Sequence, residues 1–116
     1  MLHFEIQEFN SPDLPNSGIN MDNAFLQMLD DARGIAGIPF KITSGYRSVS
    51  HNQKVGGVSN SSHLIGKACD IAVQSGNERY IIINALIKAG FKRIGVAKTF
   101  IHCDNDETKP NSIWTY

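Results

Sequence analysis

Four residues of metal-ligand type fall in two short stretches: His63 and Asp70, seven apart, and His102 and Asp104, two apart. Asp70 lies in an otherwise apolar run, Ala68-Cys69-Asp70-Ile71-Ala72-Val73. Burying a carboxylate without a partner is costly, so a cation or a cluster of donors is expected beside it. Two imidazoles and one carboxylate make a catalytic zinc set, with three protein ligands and a fourth position left to water. From the residues alone, a metal site and a carboxylate paired with donors both satisfy that requirement.

The elements around these residues decide whether they can meet. Residues 68–73 and 100–104 have strand patterning. Alternation puts Ala68, Asp70 and Ala72 on one face and Cys69, Ile71 and Val73 on the other. Phe100, His102 and Asp104 likewise share a face, opposite Ile101 and Cys103. If the two strands are neighbours with their apolar faces inward, Asp70 and His102 emerge together. His63, on a Ser/Asn/Gly loop over 58–67, can then fold over the same spot because Gly66 lets the chain bend.

Elsewhere, turn signals at Ser11-Pro12-Asp13 and Pro15-Asn16-Ser17-Gly18 predict an irregular lead-in over residues 1–20. Met21, Phe25, Met28, Leu29, Ala32 and Ile35 form a helical stripe, with Asn20 as the expected cap and Gly37 and Pro39 as the stop. Residues 40–43 read as a short strand, and Ser48 can cap a short helix ending at Gly56-Gly57. A further helix opens at Asn77, includes Tyr80, Ile83 and Ile87, and ends at Gly90. Strands over 91–96 and 100–104 follow, joined by a tight turn at Ala97-Lys98-Thr99. This mixture predicts an α+β fold with a small, mostly antiparallel sheet flanked by helices.

Length and charge narrow the function classes. The 116 residues suit a single domain over 1–116. Eleven basic residues balance eleven acidic ones with no block of either sign, so the footprint of a nucleic-acid binder is missing. The largely apolar run from Tyr80 to Ile87, with Asn84 within it, is eight residues, and a membrane span needs about 20. The N-terminal residues lack a basic stretch and an apolar core, so no secretory signal is read and synthesis in the cytoplasm is expected. Cys69 and Cys103 fall on the core-facing sides of their strands and read as small buried hydrophobes, with one disulfide as the alternative. His3 and His51 have no ligand-like company and read as surface residues.

Several segments together carry a resemblance. They are Ser44-Gly45-Tyr46-Arg47-Ser48, Asn52, Gly56-Gly57, the stretch from Ser61 through Asp70 to Ile71, and Phe100-Ile101-His102-Cys103-Asp104. The pattern S-x-H-x-x-G-x-A-x-D followed by H-x-D resembles the M15 zinc peptidases, the D-Ala-D-Ala carboxypeptidase and L-alanyl-D-glutamate endopeptidase group. The likeness runs from about residue 4 to 105, is closest to the compact phage-endolysin-like form, and implies a hedgehog/D,D-peptidase-like fold. It implies one Zn²⁺ per chain, bound by His63, Asp70 and His102. It also implies that Arg47 holds a substrate carboxylate or the developing oxyanion, a role suited to a permanently charged, forked guanidinium.

Some branches of that family place an acid three residues before the last histidine ligand. Thr99 stands there in this chain and cannot shuttle a proton as a carboxylate does. Asp104, on the same strand face as His102 and about 7 Å along the chain, is the substitute general base. Its alternative role is to orient a ligand, and Asp106 and Glu107 are held in reserve. Ser61 and Ser62 are candidate substrate donors, or donors to their own loop. Tyr46 and Trp114 are candidates to line a groove, or to pack.

The expected activity is zinc-dependent hydrolysis of an amide in peptidoglycan stem peptides by a monomer without membrane insertion. It would act on the cell wall after release by another, holin-type protein. A D,D-carboxypeptidase removing terminal D-Ala is one alternative. A zinc-stabilised, non-catalytic binding or virion-structural module is the other.

Overall fold

The computed structural model describes residues 1–116, which fold around a five-stranded sheet. Its strands are β1 (Ile42–Ser44), β2 (Ala68–Ala72), β3 (Arg93–Val96), β4 (Phe100–Asp104) and β5 (Ser112–Thr115), in the order β1-β2-β4-β3-β5. All neighbours pair antiparallel except β3 and β5, which run parallel. Helices α1 (Asn23–Ala36), α2 (Val49–Lys54) and α3 (Gly76–Lys88) complete the α+β fold, with 3-10 turns at Ile6–Phe9, Ser17–Asn20 and Ser62–Ile65.

The helix boundaries follow local chemistry. Asp22, rather than Asn20, caps α1, because its carboxylate accepts the Phe25 N–H at 2.9 Å while Asn20 closes the preceding 3-10 turn. Gly37 ends α1 in the left-handed conformation, at φ +69°. Ser48 caps α2, as its sequence position suggests. Ser75 caps α3, which begins one residue before Asn77.

The core lies between the sheet and the α1–α3 pair. Phe25, Leu26, Leu29 and Ala32 of α1 are buried, whereas Ile35 at the end of the stripe is exposed. On α3 the buried face is Ile82, Ala85 and Leu86, while Tyr80 and Ile87 point to solvent. The largely apolar run, interrupted by Asn84, offers more than one face to the core, so its periodicity cannot select between them. β1 starts two residues later than the alternation at Phe40 suggests. Phe40 packs in the core, and the pairing with β2 shifts register between Ile42 and Ser44.

The irregular lead-in is anchored. Phe4 and Phe9 are buried and meet edge to face, and the Leu2 and His3 N–H groups donate to the Asp30 carboxylate of α1. Behind the sheet, Cys69 and Cys103 oppose each other as free thiols with their sulfurs 3.7 Å apart. Burial pushes the Cys69 thiol pKa well up, and contact with Cys103 adds to the shift.

Candidate metal centre

The central rungs of the sheet put the chemistry on one face. Asp70 is directly opposite His102 across β2 and β4, and Ser44 is opposite Asp70 on β1. His63 comes from the 3-10 turn at Ser62–Ile65, whose cap Ser61 accepts the His63 N–H. Gly66 closes that turn at φ +70°, and a Cβ there would lie 2.2 Å from the Asn20 carbonyl oxygen. No other residue fits. The turn therefore returns the chain into β2 with His63 above Asp70, and the ligand atoms of His63, Asp70 and His102 lie within 4.8 Å of one another. His3 and His51 take no part in the cluster.

A hydrogen bond fixes the proton position on His63, while His102 lies between two carboxylates. His63 Nδ1 lies 2.8 Å from the Gly45 carbonyl oxygen, which only accepts, so Nδ1 carries the hydrogen. Its Nε2 faces Asp70 Oδ1 at 3.4 Å. His102 Nε2 lies 2.7 Å from Asp104 Oδ2 and its Nδ1 3.1 Å from Asp70 Oδ1, so a cation held at Nδ1 would leave the ring proton on Nε2, shared with Asp104. In the neutral tautomers, two imidazole lone pairs and a carboxylate thus converge on one point. Such a set needs cationic charge between its members, and it fits zinc by donor type. Burial raises the Asp70 pKa, but His102 and His63 outweigh it and hold the carboxyl well below its usual range. Burial lowers the His102 pKa, and the Asp104 and Asp70 carboxylates more than reverse this.

Asp104 is 1% exposed and fully committed. Besides His102, it accepts from Arg93 Nε at 2.8 Å and from the Asp106 N–H at 3.1 Å. Arg93 is its cross-strand partner on β3. Burial opposes ionisation of Asp104, and His102, the Asp106 amide and Arg93 keep its pKa below the ordinary value. Thr99 is exposed in the β3–β4 turn.

The other candidates divide. Arg47 borders the cluster: Nε donates to Ser44 Oγ at 3.0 Å, NH1 to Asn52 Oδ1 at 3.2 Å, and NH2 reaches Asp70 Oδ2 at 3.5 Å. Ser61 and Ser62 line the same cleft of about 390 Å³, with both hydroxyls engaged within the protein. Ser61 caps the turn, while Ser62 donates to Asp106 at 2.7 Å and accepts from Lys109 at 2.9 Å. Asp106 is thereby tied up with Ser62, Thr108 and Lys109, and Glu107 is exposed. Tyr46 packs against the core, whereas Trp114 lines the cleft.

Sequence reasoning overlooked Arg93 and left Asn52 without a role. A buried Asp104 demands a cation, and of the two basic residues in the strand assigned over 91–96, Lys92 and Arg93, alternation puts Arg93 on the face opposite the core residue Ile94. That signal identifies Arg93. Asn52 is a buried amide on α2 that accepts from Arg47 and donates to the Val58 carbonyl at 2.8 Å. It joins the arginine to the cleft rim.

A family model described as Peptidase M15 matches residues 3–104. The chain belongs to the M15 peptidase family. No curated protein matches it. M15 peptidases are zinc metallopeptidases acting on peptides, and the His63, Asp70 and His102 cluster of this M15 peptidase provides a set of side chains able to bind such a metal. None of its helices is long and apolar enough to cross a membrane. The family match ends at Asp104, before β5 begins.

Proposed function

We propose that this M15 peptidase is a zinc-dependent cell-wall enzyme that hydrolyses an amide bond in peptidoglycan stem peptides. The observation that carries this reading is the convergence of His63 Nε2, His102 Nδ1 and the Asp70 carboxylate in an open cleft with Arg47 at its edge. His63, Asp70 and His102 hold the ion. Zinc bound there supplies Lewis acidity toward the scissile carbonyl and toward a water molecule.

The chain's own groups do the rest. Arg47 presents positive charge where the carbonyl oxygen becomes anionic, and Ser44 and Asn52 fix its guanidinium plane. Gly45 holds the proton on His63 Nδ1, and Asp104 holds the proton on His102 Nε2, so each ring keeps its other nitrogen free for the ion. Asp104 takes the orienting role, because both its oxygens are already engaged, Oδ1 by Arg93 and the Asp106 amide and Oδ2 by His102. Ser61 and Ser62 shape the loop that carries His63. The enzyme works as a monomer, outside the cytoplasm in which it is made, after another protein has opened the route.

The committed state of Asp104, with Thr99 facing solvent, favours a second reading in which the domain binds zinc and cell-wall peptide without cleaving it. Purified sacculi decide between the two. The enzyme reading expects new amino groups with the zinc-loaded chain and none after chelation. Zinc uptake with no amino-group release would leave the binding module. Mass spectrometry of defined muropeptides separates an internal cut from loss of terminal D-Ala.

A further inference from the structure

We infer that Trp114, contributed by β5 beyond the family-matched region, is a positioning residue of the metal centre that holds His102 and the Arg93–Asp104 pair in ligating geometry. Asp70, His102, Gly95 and Trp114 face one another in turn across β2, β4, β3 and β5. Residues on such a line share one face of the sheet. Gly95 has no side chain, and a Cβ there would lie 2.7 Å from the Trp114 indole. The indole occupies that space, with its ring 5.4 Å from the His102 ring.

The same ring meets the second support of the centre. The Arg93 guanidinium lies 4.9 Å from the indole centroid while its Nε donates to Asp104. Arg93 also donates to the Pro110 carbonyl, in the segment that leads into β5. A guanidinium bound at its edge by a carboxylate and covered on its face by an aromatic ring is fixed in plane. Asp104, fixed in turn, meets His102 Nε2 at 2.7 Å and so orients the ring. Trp114 thus packs on both His102 and the arginine that anchors its partner.

The inference rests on zinc binding by His63, Asp70 and His102, and its test reads metal rather than turnover. Metal-free wild type, Trp114→Ala and Trp114→Phe are titrated with zinc against a chromophoric chelator, and the visible spectrum of each cobalt-loaded protein is recorded. Trp114→Ala is expected to bind zinc about 10- to 100-fold more weakly, with an altered cobalt spectrum, and Trp114→Phe to recover most of both. Wild-type affinity and spectrum in Trp114→Ala overturn the inference alone. A wild-type chain that takes up no zinc overturns the metal centre with it. Should Trp114→Ala fail to fold, Arg93→Lys, which keeps the charge but loses the planar fork, is expected to show the same weakening, and undiminished affinity there is equally fatal.

Discussion

Asp70 and His102 oppose each other on adjacent antiparallel strands, with Asp70 Oδ1 3.1 Å from His102 Nδ1. The same oxygen lies 3.4 Å from His63 Nε2, so Asp70 is the hub of the cluster. Asp70→Ala is expected to abolish stoichiometric zinc on the purified protein, measured by atomic emission. Because the ion binds the folded chain, saturating zinc stabilises wild type, by about 4 kcal/mol at a thousandfold excess over Kd. A melting temperature unmoved by chelation in wild type would contradict this.

Asp104 gives a sharper experiment. Asp104→Asn keeps the shape but removes the charge opposite Arg93, whose side chain is only 13% exposed. Breaking a pair of this kind costs about 3 kcal/mol, read as a loss in denaturant midpoint. Zinc affinity and turnover are expected to fall about 10- to 100-fold, with activity still measurable at saturating zinc. Loss of turnover to background with zinc still bound would return the general-base role to Asp104.

Much of this centre was legible because strand alternation is a strict rule. The face shared by Ala68, Asp70 and Ala72, and that shared by Phe100, His102 and Asp104, follow from period two alone, and the observed pairing joins them. The apolar run of α3 carries no such instruction, since Tyr80 through Ile83 offer hydrophobic surface on several sides of a helix. β5 went unseen for a different reason. Ser112–Thr115 is a four-residue strand with mostly exposed side chains, and its parallel pairing with β3 depends on contacts distant in sequence. Arg93 is identified only when one asks what neutralises a buried Asp104.

Asn52 offers a test of how Arg47 is held. Asn52→Ala leaves Arg47 NH1 without its acceptor and the Val58 carbonyl without its donor. Stability is expected to drop by about 1–3 kcal/mol, the range for unpaired buried polar groups. In peptidoglycan digestion, kcat/KM is expected to fall while zinc affinity stays unchanged, since Asn52 touches no ligand of the cluster. Arg47→Lys, which cannot fork, is expected to lower kcat/KM by about 100-fold. Unchanged kinetics in both variants would remove Arg47 from the reaction.

Acid sensitivity should originate partly far from the cleft, at Asp30. Burial raises its pKa, but the Leu2 and His3 N–H groups, at 3.0 and 2.9 Å, outweigh burial and hold it below 3.8. A carboxyl with a folded-state pKa below its unfolded value stabilises the fold above the unfolded pKa. That stabilisation disappears as pH falls through the folded one. Asp30 therefore contributes fully at neutral pH and progressively less below about pH 4. Asp106, held to about 2 against burial by Thr108 and Ser62, loses its contribution over the window from 3.8 down to about 2. Asp30→Asn is expected to cost about 1–2 kcal/mol at pH 7, read by urea unfolding, and to flatten the decline below pH 4. If wild type and Asp30→Asn lost stability in parallel between pH 5 and 2.5, the N-terminal anchor would have no part in acid unfolding.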